Sequence, residues 1–388
     1  MSEQSWLLTD VDQRVFVPEL ELGPADFTGD QVRGLRVKKY VLRGGLSEGV
    51  DVIELENGLL RVIVLPSRGM GIHKIFAGDV ELGWRSPVRG PVNPKFVNLF
   101  EGNGIGWLGG FDEWLCRCGL ESNGGPEWDD AGRLQRPLHG RIANLPAHRV
   151  ELAVDGHTGE IRVTGIIGEA RLFARKLRLS STVRLRAGEA VLHIHDEVAN
   201  LSAEPTDFEL LYHINFGLPL LQPGATLVAP AINVVPQTSH AATDVSCWHT
   251  YGVEEAGLGE FVHFFTLAAD KDGRTQVLLK AAEDRGAVLS FNVNQLPCFT
   301  QWKCQQPAQD GYVTGLEPGT NYPNVRSFEE QQGRVPTLAP GALRNFDLSV
   351  EVFDTAAGID ATEQAIRKLA GDQAPRIFER PQPGWSPA

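Results

Sequence analysis

The chain has 388 residues, 42% of them hydrophobic and 22% charged, and its 36 Lys and Arg against 49 Asp and Glu leave a formal net charge of −13. That length is enough for a large buried core, and a dispersed acidic excess argues against nucleic acid or an anionic membrane as partner, since both want basic patches. Five cysteines, an odd number with only a C-x-C at Cys116 and Cys118, read as reduced, packed thiols and not as a disulfide framework. In chain order, residues 1–35 read as an N-terminal extension; their first residues lack the basic and apolar regions of a secretory signal. No apolar run approaches the ~20 residues of a membrane span, so the expectation is a cytoplasmic protein with no membrane partner.

From there the pattern is short alternating runs separated by turn chemistry, the signature of strands. Asp51–Glu56 and Leu59–Leu65 flank Asn57-Gly58, a strong hairpin signal. Hairpins are also expected for 72–76 with 80–84, 149–154 with 160–166, and 176–185 with 190–199. Further strands are expected at 207–216, 276–282, 287–292 and 345–353. Helical periodicity is limited to Ala361–Leu369, with Asp360 or Thr362 as the cap. The fold class that follows is all-β, a large antiparallel β-sandwich or barrel with a short C-terminal helix. One catalytic domain spans 36–355, followed by the helix and tail at 356–388. Two stretches break the rhythm: the Gly- and Trp-rich segment 93–138 and the irregular segment 219–259. Long loops of this kind commonly line a site.

Candidate chemistry begins with Tyr212-His213-Ile214-Asn215-Phe216. On a strand, Tyr212, Ile214 and Phe216 share one apolar face while His213 and Asn215 share the other. A polar pair on a buried strand either finds partners in the core or faces a cavity. Glu317 precedes Pro318-Gly319, read as a turn pair, which puts it at the mouth of a strand, solvated or pointing into a cleft. His139 and Arg141 lie in a basic cluster suited either to hydroxyl recognition or to salt bridging, and Arg68, before Gly69, carries the same two readings. Trp302 and Lys303 would offer a flat apolar face beside a cation, or simply core packing. Arg85, Arg89 and Arg141 are the cations available to a phosphorylated substrate, if they meet. His193 and His195 share a strand face at a zinc-like spacing, but only Glu197 could join them, so they read as solvent-facing.

Taken in order across roughly residues 50–355, these segments resemble the aldose 1-epimerase or galactose mutarotase-like superfamily. The resemblance is carried by Val62–Gly69, Leu138-His139-Gly140-Arg141-Ile142-Ala143-Asn144, Tyr212–Gly217 and Gly315-Leu316-Glu317-Pro318. It implies a sandwich of antiparallel sheets with a sugar in a cleft on a concave face, and no metal or organic cofactor. By position, Glu317 would be the general base at the anomeric hydroxyl and His213 the acid at the ring oxygen. His139, Arg68 and Arg141 would bind hydroxyls, with Asn215, Trp302 and Lys303 as further substrate contacts. The family's additional acidic residue has candidates in Asp112, Glu113 and Asp244. The partner expected is a small sugar, with a homo-oligomer compatible. The pair is expected to face each other across a cleft one sugar ring wide, with Glu317 ionised and His213 partly protonated. The alternatives are a keto-sugar isomerase or epimerase using the same pair, and a non-catalytic carbohydrate-binding protein.

Overall fold

The computed structural model describes residues 3–281, 285–371 and 374–387. Two large sheets face each other, one of thirteen strands and one of ten, and almost every pairing is antiparallel. The exception is the short parallel contact of Ala231–Pro236 with Arg376–Ile377. The fold is therefore an all-β sandwich. Its core forms where the inward residues of the two sheets interdigitate: Val163, Leu179, Val183 and Ile194 from the ten-stranded sheet meet Ile53, Val62, Tyr212 and Ile214 from the other.

The expected hairpins form close to their anticipated bounds, at Asp51–Asn57 with Leu60–Leu65 and Lys176–Arg186 with Val191–Asn200. Gln4–Asp10, within the stretch read as an extension, pairs with Arg149–Asp155 in the ten-stranded sheet. The C-terminal helix is longer than its periodicity suggested, Ala356–Ala370, and its cap is Thr355, whose hydroxyl accepts the Gly358 N–H. Ile359 and Ile366 on that helix pack against Leu278 and Val288 of the ten-stranded sheet. Among the described residues no helix is long and apolar enough to cross a membrane.

Strands Leu115–Leu120, Phe261–Leu267 and Cys298–Gln305 were not anticipated. With Glu209–Gly217 and Tyr312–Gly319 they make the middle of the thirteen-stranded sheet, in the order 261–267, 298–305, 312–319, 209–217, 115–120. One face of this row packs into the core. The other lies under the loops and carries the candidate site. Pro318-Gly319 is not a turn: the strand continues through Gly319, which pairs with both Cys298 and Leu211. Pro318 has no N–H to donate, and the register to the 209–217 strand is interrupted between Leu211–Gly319 and Ile214–Leu316. His213 and Glu317 lie in that interruption.

Candidate active site

Strand alternation works as expected on 209–217. Tyr212, Ile214 and Phe216 enter the core, and His213 and Asn215 point to the other face. From the neighbouring strand Glu317 reaches the same place, and its Oε1 lies 3.2 Å from Nε2 of His213. The two side chains are in contact, so no sugar ring fits between them. The expectation of a ring-wide gap gives way to an acid–base pair standing side by side. His213 donates its Nδ1–H to Oδ1 of Asn215 at 2.8 Å, and Asn215 in turn donates Nδ2–H to the Glu113 carbonyl at 3.0 Å. This fixes the ring and leaves Nε2 directed at Glu317. Asn215 is thus a positioning residue behind His213.

Burial disfavours both charges. It raises the Glu317 carboxyl well above the usual range, with the nearby His139 charge working the other way. It also lowers His213 well below 6.5, reinforced by His139 and opposed by the Asn215 bond. The reference-value expectation of an ionised Glu317 beside a partly protonated His213 is therefore corrected for the resting site. Burial thus favours the uncharged form of each partner.

His139 sits at φ +57° before Gly140 at φ +70°. A β-carbon at Gly140 would strike the Ser122 and Gly119 carbonyls at 2.2 and 2.5 Å, so the His-Gly pair is what lets this segment press onto the 115–120 strand. His139 donates Nδ1–H to the Asn123 carbonyl at 2.7 Å, and its ring centroid lies 5.5 Å from that of His213. Burial pulls its pKa down, but Cys118, the Asn123 carbonyl and Glu317 outweigh this and raise it to about 9. Cys118 shows the converse. Burial pushes it up, yet the Cys116 thiol and the His139 charge bring it to about 6. These neighbours favour the charged form of His139 on the cavity wall.

These groups line a cavity of about 360 Å³. Its floor and inner wall are His213, Glu317, His139, Trp107, Phe111 and Trp302, and its outer wall is Ile105, Leu108, Leu138, Gly125, Pro323, Val262, Gln237 and Glu260. Phe111 and Trp302 stand edge-on to His213, with centroids 5.1 and 5.4 Å away, and Trp107 lies 4.6 Å from His139. Trp107 and Phe111 come from the Gly- and Trp-rich loop, whose unusual length was the one sequence signal for them. Glu260, whose Oε2 accepts the Trp302 indole N–H at 2.7 Å, and Gln237 had no such signal.

Several expected contacts lie elsewhere. Arg68 is buried and engaged by Glu113, the Val92 and Gly110 carbonyls and Asn144, so it anchors the loop and does not face the cavity. Lys303 follows Trp302 on a strand and so points to the opposite face, where it is held by Asp244 and two carbonyls. Arg141 does not line the cavity, nor do Arg85 and Arg89, and the wall carries no Lys or Arg among the described residues. Of the acidic candidates, Glu113 pairs with Arg68 and Asp244 with Lys303. Asp112 is buried, 3.7 Å from His73. His195 bonds Asp347 on the outer face of the ten-stranded sheet.

A family model described as a domain of unknown function, DUF4432, matches residues 47–352. A search of curated proteins finds no match. Among solved structures, the chain is similar to a "putative aldose 1-epimerase" from Klebsiella pneumoniae, with 33% identity and a TM-score of 0.94 over 98% of this chain and 99% of that one. It is also similar to a galactose mutarotase-like protein from Clostridium acetobutylicum, with 16% identity and a TM-score of 0.57 over 82% of this chain and 99% of that one. A galactose mutarotase related enzyme from Lactobacillus acidophilus matches with 16% identity and a TM-score of 0.51, covering 78% and 98% respectively. At their identity the last two speak to the fold alone, which is the galactose mutarotase-like sandwich.

Proposed function

The chain belongs to the DUF4432 family, and we propose that it acts as an aldose 1-epimerase-like isomerase that interconverts the anomers of a sugar by acid–base ring opening and closure. The observation that carries this reading is the 3.2 Å contact between His213 and Glu317 at the floor of a cavity. In a cyclic aldose the anomeric O1 and the ring oxygen are both bonded to C1. Two groups in contact can therefore address both oxygens from one edge of the sugar.

Ring opening removes the proton from O1 and gives one to the ring oxygen, and closure on the other face reverses both transfers. A pair holding a single proton is sufficient. Burial favours that proton on Glu317. A bound sugar whose hydroxyls hydrogen-bond the charged forms favours its transfer across the contact to Nε2. Glu317 is then the base at O1 and His213 the acid at the ring oxygen. A charged His139 beside it stabilises the ionised carboxylate. Trp107, Phe111 and Trp302 give the C–H faces of the ring apolar surfaces to rest on. The absence of Lys and Arg from the wall among the described residues favours a neutral sugar over a phosphorylated one.

The test is the equilibration of freshly dissolved anomers across a panel of aldoses, followed by polarimetry or NMR. Acceleration by the wild type should fall by ~10²–10⁴-fold in Glu317→Gln and in His213→Asn. If no aldose equilibrates faster, the reading fails. Deuterium from solvent appearing at carbon would instead identify C–H proton transfer on a keto-sugar.

A further inference from the structure

We propose that Asn123 is a positioning residue of the site, suspending His139 from the two strands that carry His213 and Glu317. This rests on the anomer-interconverting reading above, in which a charged His139 supports the ionised carboxylate. Asn123 lies in the loop after the 115–120 strand, is buried, and does not line the cavity. Its carbonyl accepts the His139 Nδ1–H at 2.7 Å, and the next carbonyl, of Gly124, accepts the His139 backbone N–H at 2.8 Å. His139 is thus tied to this loop by both its ring and its backbone.

The loop is held in turn from two sides. The Asn123 N–H donates to Oε2 of Glu209 at 2.7 Å, and Glu209 opens the strand of His213. The Asn123 side chain forms a reciprocal amide pair with Asn321. Its Nδ2–H donates to Oδ1 of Asn321 at 3.0 Å, and Nδ2–H of Asn321 donates back to Oδ1 of Asn123 at 3.2 Å. Asn321 lies two residues beyond the Glu317 strand. Thr320 staples that end to the strand of His213: its N–H donates to the Leu210 carbonyl at 2.8 Å, and its hydroxyl accepts the Leu210 N–H at 3.0 Å. Asn123, Glu209 and Asn321 are each 0% exposed. A shift of the loop would leave buried donors and acceptors without partners, so the network keeps one arrangement. A carbonyl fixed against Nδ1–H favours the charged imidazole, and a loosened one gives up part of that support.

Asn123→Ala removes the amide pair and leaves each polar group of Asn321 another partner, Thr320 for Oδ1 and the Tyr322 carbonyl for Nδ2. The variant should therefore fold. The titration of His139 is followed by imidazole NMR, with anomer equilibration measured in parallel. The His139 midpoint, raised to about 9 in the wild type, should fall, and kcat should drop ~10-fold with KM less affected. In a His139→Gln background Asn123→Ala should cost nothing further, because it acts through that side chain. An unmoved midpoint in the folded variant, or an equal loss of kcat in the His139→Gln background, overturns the inference. With anomers still equilibrating in the wild type, the proposed function then stands. If no sugar is turned over, the catalytic reading falls, while a lowered midpoint still supports the positioning role. Glu209→Gln and Glu209→Leu test the loop from its other side. Gln still presents an oxygen to the Asn123 N–H and should keep the midpoint, whereas Leu presents none and should lower it. Equal midpoints in these two overturn the inference, and they decide it should Asn123→Ala fail to fold.

Discussion

A β-carbon added at Gly315 would lie 2.4 Å from Oε1 of Glu317 and 3.0 Å from Cε1 of His213. The acid–base pair can meet only because this position carries no side chain. Gly315→Ala should therefore push the pair apart, at a packing cost of ~1–3 kcal/mol. The protein should still fold, with a lowered Tm and at least a tenfold loss of anomer equilibration. Unchanged activity in a folded Gly315→Ala would mean the contact is dispensable. The pH dependence follows from the same two residues. His213 is held below 6.5 by burial and by the His139 charge. It stays unprotonated as the pH falls through 6.5, and the acid limb of kcat/KM lies lower. Glu317, raised above 4.5 by burial, keeps its proton as the pH rises through 4.5 and sets the alkaline limb. Acidification through pH 6.5 should therefore bring no gain in kcat/KM. A steep rise there would mean that His213 titrates as an ordinary imidazole and that the shared-proton account is wrong. Trp302 and Lys303 are adjacent on one strand and cannot share a cavity. A gap one ring wide was also more than O1 and the ring oxygen require.

Among the elements, the Gly- and Trp-rich loop depends on one side chain that never reaches the cavity. Arg68 joins Glu113, Asn144 and the carbonyls of Val92 and Gly110, tying both ends of the segment that carries Trp107 and Phe111. Arg68→Ala leaves several buried acceptors without partners, so amide exchange across 93–111 should accelerate and KM should rise more than kcat falls. Arg68→Lys should not rescue either, because a single ammonium cannot span four directions. Wild-type exchange in that loop for Arg68→Ala would remove its anchoring role. Strands were legible where one face meets solvent or a turn marks the end, as in the hairpin at Asn57-Gly58. Leu115–Leu120, Phe261–Leu267 and Cys298–Gln305, which show no such pattern, are covered on both faces. They carry Arg117, His263, Gln301 and Lys303 inward, and each of these finds a partner in the interior. Their polar residues therefore follow no apolar–polar alternation. The site was legible only through ordered resemblance, since its walls come from loops whose contacts sequence spacing does not record.

Across the whole molecule, the two sheets are joined through their apolar core by a buried ionic knot. Arg117, on the thirteen-stranded sheet, donates from Nε and Nη2 to Asp196 on the ten-stranded sheet, and from Nη1 to the Met70 carbonyl at 2.8 Å. Tyr212, on the strand of His213, adds its hydroxyl to Asp196 at 2.9 Å. No local pattern could reveal this pair, because its members lie on strands of different sheets and meet only when the layers close. Removing one member strands the other charge in the core, which costs ~3–5 kcal/mol, whereas replacing both with apolar residues of similar volume is often neutral. Asp196→Leu should therefore lower the urea midpoint sharply. The triple variant Arg117→Leu, Asp196→Leu, Tyr212→Phe should recover most of the loss, since it leaves neither the guanidinium nor the phenol without a partner. If Asp196→Leu costs less than ~1 kcal/mol against the ~3–5 kcal/mol expected for a stranded buried charge, water reaches Arg117 in the interior. If the triple variant stays as unstable as the single one, the knot contributes net stability of its own. The sheets would then be held by that charge pair as much as by the apolar faces around it, and the row of strands carrying His213 and Glu317 would take its position partly from Asp196.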